Sequence, residues 1–411
     1  MGEDLSPALV EMVTYLGTKL PSFRDAHEAL GVLMRVVISQ KRVERQTERI
    51  GEERVSQREE EIDAWSRLPL VQRDQAPRGV KPPELAAVIP DGGRLQLDVE
   101  NPERKSHWHE YKAGVLQSLS SETHAEDPCP EIPACYLERV RVDKLAREVT
   151  QVAGRPEPSG PEAIQPAEPA DAPLPAEEIE SQGYDPPKVV DRDVVASRRD
   201  SRTFGLHLAA RAWSLGMFAS LRKAYIGDGQ NWLWSVWERH FQPFGFVPIL
   251  DFIHALTHVY AAATAGRSET EGWNVYCRWI TWIWKGRTAD VILELAARQQ
   301  ELGLPTKEDA ETSPRTLVSK TLTYLQNQQS RMHYPEYRRQ GLPITSAHIE
   351  STVKLINRRV KGSEKYWSER GAEALLQLTA DHLSTSQPLT KFWHTRPNRQ
   401  TGRRAYAKHA V

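Results

Sequence analysis

Two short apolar runs, each ending in an aspartate beside glycine, constrain this chain more than any other feature. Ala86-Ala87-Val88-Ile89-Pro90 leads into Asp91-Gly92-Gly93-Arg94, and Ala224-Tyr225-Ile226 leads into Gly227-Asp228-Gly229-Gln230-Asn231-Trp232. Short apolar runs bounded by turn residues read as buried strands, so each aspartate is expected at the end of a central strand. A third acid, Glu350, falls on a segment with helical spacing. Ile349, Val353, Ile356 and Val360 form its apolar stripe, and Glu350, Lys354, Asn357 and Lys361 form the stripe beside it. Glu350 is thus expected at the edge of a buried face, on a helix that also presents Lys354, Arg358 and Arg359, with Gly362 as its C-cap. Two strand-end acids and one late helical acid suit a pair of hard divalent cations. Such ions take oxygen ligands and stabilise the attacking and leaving oxygens of an in-line displacement at phosphorus. A glycine on each side of Asp228 is expected to let a nucleic acid backbone approach. Taken singly, each acid also fits a turn aspartate or an ordinary Glu350–Lys354 helix pair.

The order Asp91-Gly-Gly-Arg, Gly227-Asp228-Gly-x-x-Trp232 and Glu350-Ser-Thr-x-Lys354 resembles that of DDE-type insertion-sequence transposases, in particular the ISKra group. Similar to that group, too, are Arg358-Arg359-Val360-Lys361-Gly362-Ser363-Glu364-Lys365-Tyr366-Trp367 and Gly371-Ala372-Glu373-Ala374-Leu375-Leu376-Gln377-Leu378. So are His109-Glu110-Tyr111-Lys112-Ala113-Gly114 and Asp127-Pro128-Cys129-Pro130-Glu131. The likeness covers roughly residues 80–150 and 186–380, and the late block is its most specific part. It implies an α/β fold with a ribonuclease-H-like catalytic core, dependence on Mg²⁺ and the cutting and joining of DNA ends.

The formal net charge of −1 is unusual for a DNA-binding chain, so charge must be read locally. Residues 152–187 carry Arg155 alone against eight acids, whereas residues 315–411 carry 17 Lys and Arg against six acids. Neutrality thus hides an acidic insert and a basic C-terminal third suited to phosphate contacts. Cys129 and Cys135 have no usual zinc spacing, so free thiols are expected. No apolar run is long enough to span a bilayer. The expected setting is a prokaryotic cytoplasm, in association with the nucleoid.

Residues 1–65 read as helical. Arg24–Gly31 followed by a helix capped by Ser39 suggests a helix-turn-helix, with Lys41, Arg42 and Arg45 near the N-terminus of the second helix as DNA contacts. Residues 51–65 read as a solvated connecting helix. The first part of the core spans 80–150, with strands at 85–90, 94–99 and 111–119, turns at Gly92-Gly93 and near Asn101-Pro102, and a helix at 136–150. Residues 152–187 hold nine prolines, a composition that cannot bury a core and is expected to be disordered. The second part of the core spans 188–265: a long helix at 188–221, strands at 222–227 and 246–250, and a helix at 252–264. A helical insertion follows at 268–340, with Trp273, Trp279, Trp282 and Trp284 expected mainly as core. The last catalytic helix and its successor occupy 345–380, before a basic tail at 381–411.

Under this reading Asp91 bridges two Mg²⁺ ions, for which Mn²⁺ can substitute, and Asp228 and Glu350 hold one each. Asp251 and His254, at another strand end, are candidates for support behind these ligands, and Asp251 is the first substitute should one fail. At least one clustered carboxylate is expected to have a raised pKa. The expected partner is double-stranded DNA, bound by a homo-oligomer. Two alternatives stay open: a related nuclease that cuts without joining, and a DNA-binding relative without catalysis.

Overall fold

The computed structural model describes residues 5–98, 107–152, 185–362 and 365–399. Most of the insert expected to be disordered, residues 153–184, and the tail from 400 onward lie outside the described residues. The architecture is α/β, a mixed six-stranded sheet among helices. Among the described residues no helix is long and apolar enough to cross a membrane.

Three helices open the chain: α1 (Pro7–Lys19), α2 (Phe23–Met34) and α3 (Gln40–Ser66), with a single turn, α4 (Leu70–Arg73), behind them. Ser22 and Asp25 form a reciprocal cap on α2, and Ser39 caps α3 by accepting from the Arg42 amide. Gly31 does not end α2; the helix runs on to Met34 and stops at Arg35, whose φ of 55° is left-handed. The expectation of a short recognition helix followed by a solvated connector is corrected here. Residues 40–66 form one helix of 27 residues whose Arg54, Arg58, Ile62 and Trp65 are buried.

The sheet begins with β1 (Leu85–Leu97), which pairs antiparallel with β2 (Trp108–Ser120). Gly92-Gly93 is not a turn, as expected, but lies inside β1, with Gly93 opposite Tyr111. A Cβ on Gly93 would stand 2.2 Å from the Tyr111 ring, so the strand continues only because the residue is glycine. After α5 (Arg139–Val152) comes β3 (Lys188–Ser197), antiparallel to β2. The long helix expected at 188–221 is therefore a strand followed by α6 (Ser201–Ser214). Val189, Val190, Val194 and Val195 supply the β-branched residues that favour pairing over helix.

Next come β4 (Arg222–Gly227), α7 (Asn231–His240), β5 (Val247–Leu250) and α8 (Phe252–Thr264). β4 is parallel to β1 and β5 is parallel to β4, giving the order β3-β2-β1-β4-β5. The helical insertion is present as α9 (Glu269–Trp284), α10 (Thr288–Leu302), α11 (Pro314–Gln328) and α12 (Tyr334–Arg339). Trp279 and Trp284 are buried and Trp273 and Trp282 half-buried, so the cluster is core. The last helices are α13 (Ala347–Val360), α14 (Glu369–Leu383) and α15 (Pro388–Arg399), with a two-residue strand, β6 (Tyr366–Trp367), pairing with the far end of β1. Ile349, Val353, Ile356 and Val360 are all buried, as their stripe requires. The cap of α13 is Lys361 in extended backbone, not a left-handed Gly362.

The N-terminal helices are built into this body. α3 lies along α14, and a Cβ on Gly51 would sit 2.6 Å from that of Ala374, so the two backbones cross closely. At the crossing, Arg54 clasps Asp381 through two bonds of 2.8 and 3.1 Å, and Arg58 meets Glu373 at 2.9 Å. Glu373 also accepts from Ser197 Oγ (2.6 Å) and the Arg198 amide (2.7 Å), tying the end of β3 to α14.

Candidate metal centre

The site follows from strand register. Val88 is level with Tyr225, and Tyr225 with Pro248. Three residues further along each parallel strand stand Asp91, Asp228 and Asp251, in equivalent positions on β1, β4 and β5. Neighbouring strands lie about 4.8 Å apart, so three acids line one edge of the sheet. Glu350 joins them from the first turn of α13. Tyr111 Oη donates to Asn357 Oδ1 at 2.9 Å, fastening that helix to β2.

Each acid has a different environment. Asp91 is half-buried, and its Oδ1 accepts from the Gly92 amide at 2.6 Å. Burial, then the charges of Asp228 and Glu350, push its carboxyl up to about 7, against the opposing pull of the Gly92 amide and His254. Asp228 accepts from the Gln230 amide at 2.9 Å and from Gln230 Nε2 at 2.6 Å. Its loop is braced by the insertion: Tyr324 of α11 donates to the Asp228 carbonyl at 2.7 Å, and Gln328 Nε2 donates to the Gly229 carbonyl at 3.2 Å.

Protein packing restricts both glycines that flank Asp228. A Cβ on Gly229, where φ is 104°, would meet the Tyr324 ring at 2.5 Å, and one on Gly227 would meet Trp234 at 3.2 Å. The ring of Tyr324 in turn stacks on His258 at 3.9 Å. The brace has no sequence signal, because Tyr324 lies 96 residues from Asp228 and carries no motif.

Asp251 is fully buried, and both its oxygens are engaged. Oδ1 accepts from the amides of Ser346 (3.0 Å) and Ile253 (3.3 Å); Oδ2 accepts from Ser346 Oγ (2.8 Å) and lies 2.5 Å from His254 Nδ1. Asp251 thus joins the end of β5 to the residue that precedes α13, and so fixes where Glu350 emerges. Burial opposes a charge on His254, but the hydrogen bond to Asp251 and the charges of Asp251, Asp228 and Glu350 prevail and raise it to about 9. One ligand atom from each of Asp251, His254 and Glu350 lies within 4.8 Å of the others, the one such group among the described residues.

The basic candidates divide. Lys41, Arg42 and Arg45 are exposed on the first turns of α3, and Lys354 and Arg358 are exposed on α13. Lys361 is half-buried, with its amine 5.3 Å from the centre of the Trp108 ring. Arg359, expected to face DNA, is instead buried. It is 4% exposed, donates to the Gly17 carbonyl from Nε (3.1 Å) and Nη2 (2.8 Å), and stacks over Phe23 and Trp367. It holds α1 against α13 and offers nothing to a phosphate. Cys129, Cys135 and Cys277 are free thiols, as expected.

The residues fit a hard cation. Carboxylates from three elements approach one another, and Asp91 holds its proton unusually tightly, chiefly through burial and then through the charge of Asp228. No protein-family model matches the chain, and no curated protein matches it.

Proposed function

We propose that this chain is a DNA transposase of the DDE type, cutting element ends and joining them to target DNA on a ribonuclease-H-like core. One observation carries the reading: Asp91 and Asp228 stand at equivalent positions on adjacent parallel strands, and Glu350 acts on the same site from a late helix. The strand order, with three antiparallel strands followed by two parallel ones, is compatible with that core.

Asp91, Asp228 and Glu350 would hold Mg²⁺, which when bound lowers the pKa of a water and offsets charge on the phosphoryl oxygens. The chain's own residues do the rest. Gln230 and Tyr324 keep the Asp228 loop in place, and Asp251 and Tyr111 keep α13 at its distance from the sheet. In the first step a water oxygen bonds to phosphorus as the bond to the 3′ oxygen breaks, leaving a 3′-hydroxyl and a 5′-phosphate. In the second that hydroxyl attacks a target phosphodiester, forming one phosphorus–oxygen bond as another breaks. The exposed Lys41, Arg42, Arg45, Lys354 and Arg358 suit contacts to the duplex backbone.

The test is cleavage of DNA carrying the element's flanking ends, with Mg²⁺ and with EDTA, followed by strand transfer from a pre-cut end. Mg²⁺-dependent nicking and joining are expected. Nicking without joining would favour a nuclease, and binding without nicking a non-catalytic protein.

A further inference from the structure

Glu350 shares a compact group of ligand atoms with Asp251 and with a histidine that Asp251 holds. His254 lies on the first turn of α8, directly after β5, and its ligand atom, with those of Asp251 and Glu350, falls within a 4.8 Å group. The two partners of Glu350 in that group differ in what they can still offer. Asp251 has no exposed surface, and its oxygens already accept four hydrogen bonds. To ligate an ion it would have to release Ser346 and with it the start of α13. His254 has one nitrogen engaged, Nδ1 at 2.5 Å from Asp251 Oδ2, and its side chain keeps 20% of its surface exposed. The ring nitrogen left for a cation is therefore Nε2. A buried carboxylate on the far nitrogen of an imidazole is the arrangement that fixes the tautomer and orientation of a metal-binding histidine.

We propose that His254, oriented by Asp251, is a nitrogen ligand to the divalent cation held by Glu350, so that the centre takes Mn²⁺ in preference to Mg²⁺ and does not merely tolerate it. The inference deepens the reading given above for this site. Mg²⁺ selects oxygen donors and keeps much of its water, whereas imidazole suits the transition ions, with affinity rising from Mn²⁺ through Co²⁺. A site built from Asp91, Asp228 and Glu350 alone would show a weaker bias and no nitrogen at the ion. Asp251 is a positioning residue: it acts on the metal only through His254 and through the placement of Glu350.

The experiment uses the full chain without DNA, so it does not depend on cleavage. Mn²⁺ and Mg²⁺ are titrated by calorimetry, and the Mn²⁺-loaded protein is examined by pulsed electron paramagnetic resonance for nuclear modulation from a coordinated imidazole nitrogen. The wild type is expected to bind Mn²⁺ at least about tenfold more tightly than Mg²⁺ and to show nitrogen modulation. In His254→Gln the modulation should vanish and Mn²⁺ affinity should fall roughly 10–100-fold, with Mg²⁺ affinity within about threefold of wild type. Asp251→Asn should weaken Mn²⁺ binding by a smaller factor. Bound Mn²⁺ without nitrogen modulation in the wild type overturns the proposal, whether or not the variants fold. So does an unchanged Mn²⁺ to Mg²⁺ ratio in a folded His254→Gln. A chain that binds Mn²⁺ through nitrogen yet never cuts DNA would sustain this inference and defeat the transposase reading.

Discussion

The molecule gathers charge in two places and treats it in opposite ways. Along the seam between α3 and α14, Arg54 faces Asp381 and Arg58 faces Glu373, with Gln57, Gln377 and Ser197 meeting further atoms of the four. At the end of the sheet, Asp91, Asp228, Asp251 and Glu350 gather beside His254. The seam is balanced, bonded and buried; it behaves as part of the core. The sheet edge is unbalanced, and the cost appears in Asp91 and His254, both of which hold protons more tightly than usual. Charge matched by its neighbours is structural, and charge left for something else to match marks a site.

Breaking the two regions separately should give opposite phenotypes. At the sheet edge, Asp91→Asn, Asp228→Asn or Glu350→Gln should each lower Mg²⁺-dependent DNA cleavage by roughly a thousandfold or more. The melting temperature should hold or rise, because a repelling charge is removed. A plasmid-nicking assay beside calorimetry reads both, and a fully active folded variant would remove that acid from the site. At the seam, Arg54→Ala or Asp381→Ala leaves a buried charge alone and should cost about 3–5 kcal/mol, with cleavage per folded molecule unchanged. Urea titration checks it, and a neutral result would mean that the seam contributes little.

The exposed basic residues form a third case, with charge neither buried nor clustered. Replacing Lys41, Arg42 and Arg45 together by Ala should reduce the slope of log affinity against log salt by up to about three phosphates' worth, without altering stability. Fluorescence anisotropy at several salt concentrations would show it, and an unchanged slope would move DNA contact to α13. Arg359, by contrast, should behave like the seam.

Titration sharpens the comparison further. In the metal-free protein His254 favours its charged form, so its contribution to stability is complete below about 6.5 and lost as pH rises through about 9. Asp91 favours its neutral form, so its contribution is complete below 3.8 and lost as pH rises through about 7. Both act in one direction, and the melting temperature should fall by roughly 5 °C between pH 5 and 9. Added Mn²⁺ should reverse the fall at the alkaline end. A flat profile by scanning calorimetry would show that the acids do not interact as described. The smallest effect is expected at the brace: Tyr324→Phe removes one hydrogen bond, about 1 kcal/mol, and should slow cleavage more than it weakens DNA binding.

Much of the sheet edge was legible from local pattern. The apolar run before Asp228 announces a strand end, whereas the run before Asp91 marks a strand but not its end, because β1 continues through Gly92-Gly93 to Leu97; the stripe through Ile349 and Val360 sets the face on which Glu350 lies. The strand at 188–197 was not legible, because its valines come in pairs around Asp191, Arg192 and Asp193 and match helical and extended periods alike. Nor was the burial of Arg54, Arg58 and Arg359. A charge reads as solvent-facing until its partner is known, and Asp381 stands 327 residues from Arg54. The tie from Asp251 to Ser346 crosses 95 residues and failed to show for the same reason.

That closure between α3 and α14 bears on how the protein is made. Asp91 and Asp228 leave the ribosome early, but the helix bearing Glu350, and then Glu373 and Asp381, are synthesised more than a hundred residues after Asp228. Until they emerge, α3 can pack on α1, α2 and α6 but lacks α14, and the three aspartates at the sheet lack Glu350. A nascent or prematurely terminated chain should thus hold Asp91, Asp228 and Asp251 without the helix that completes the proposed centre. Contacts between such distant segments also make for slow folding, so the complete carboxylate cluster would be among the last features the polypeptide acquires.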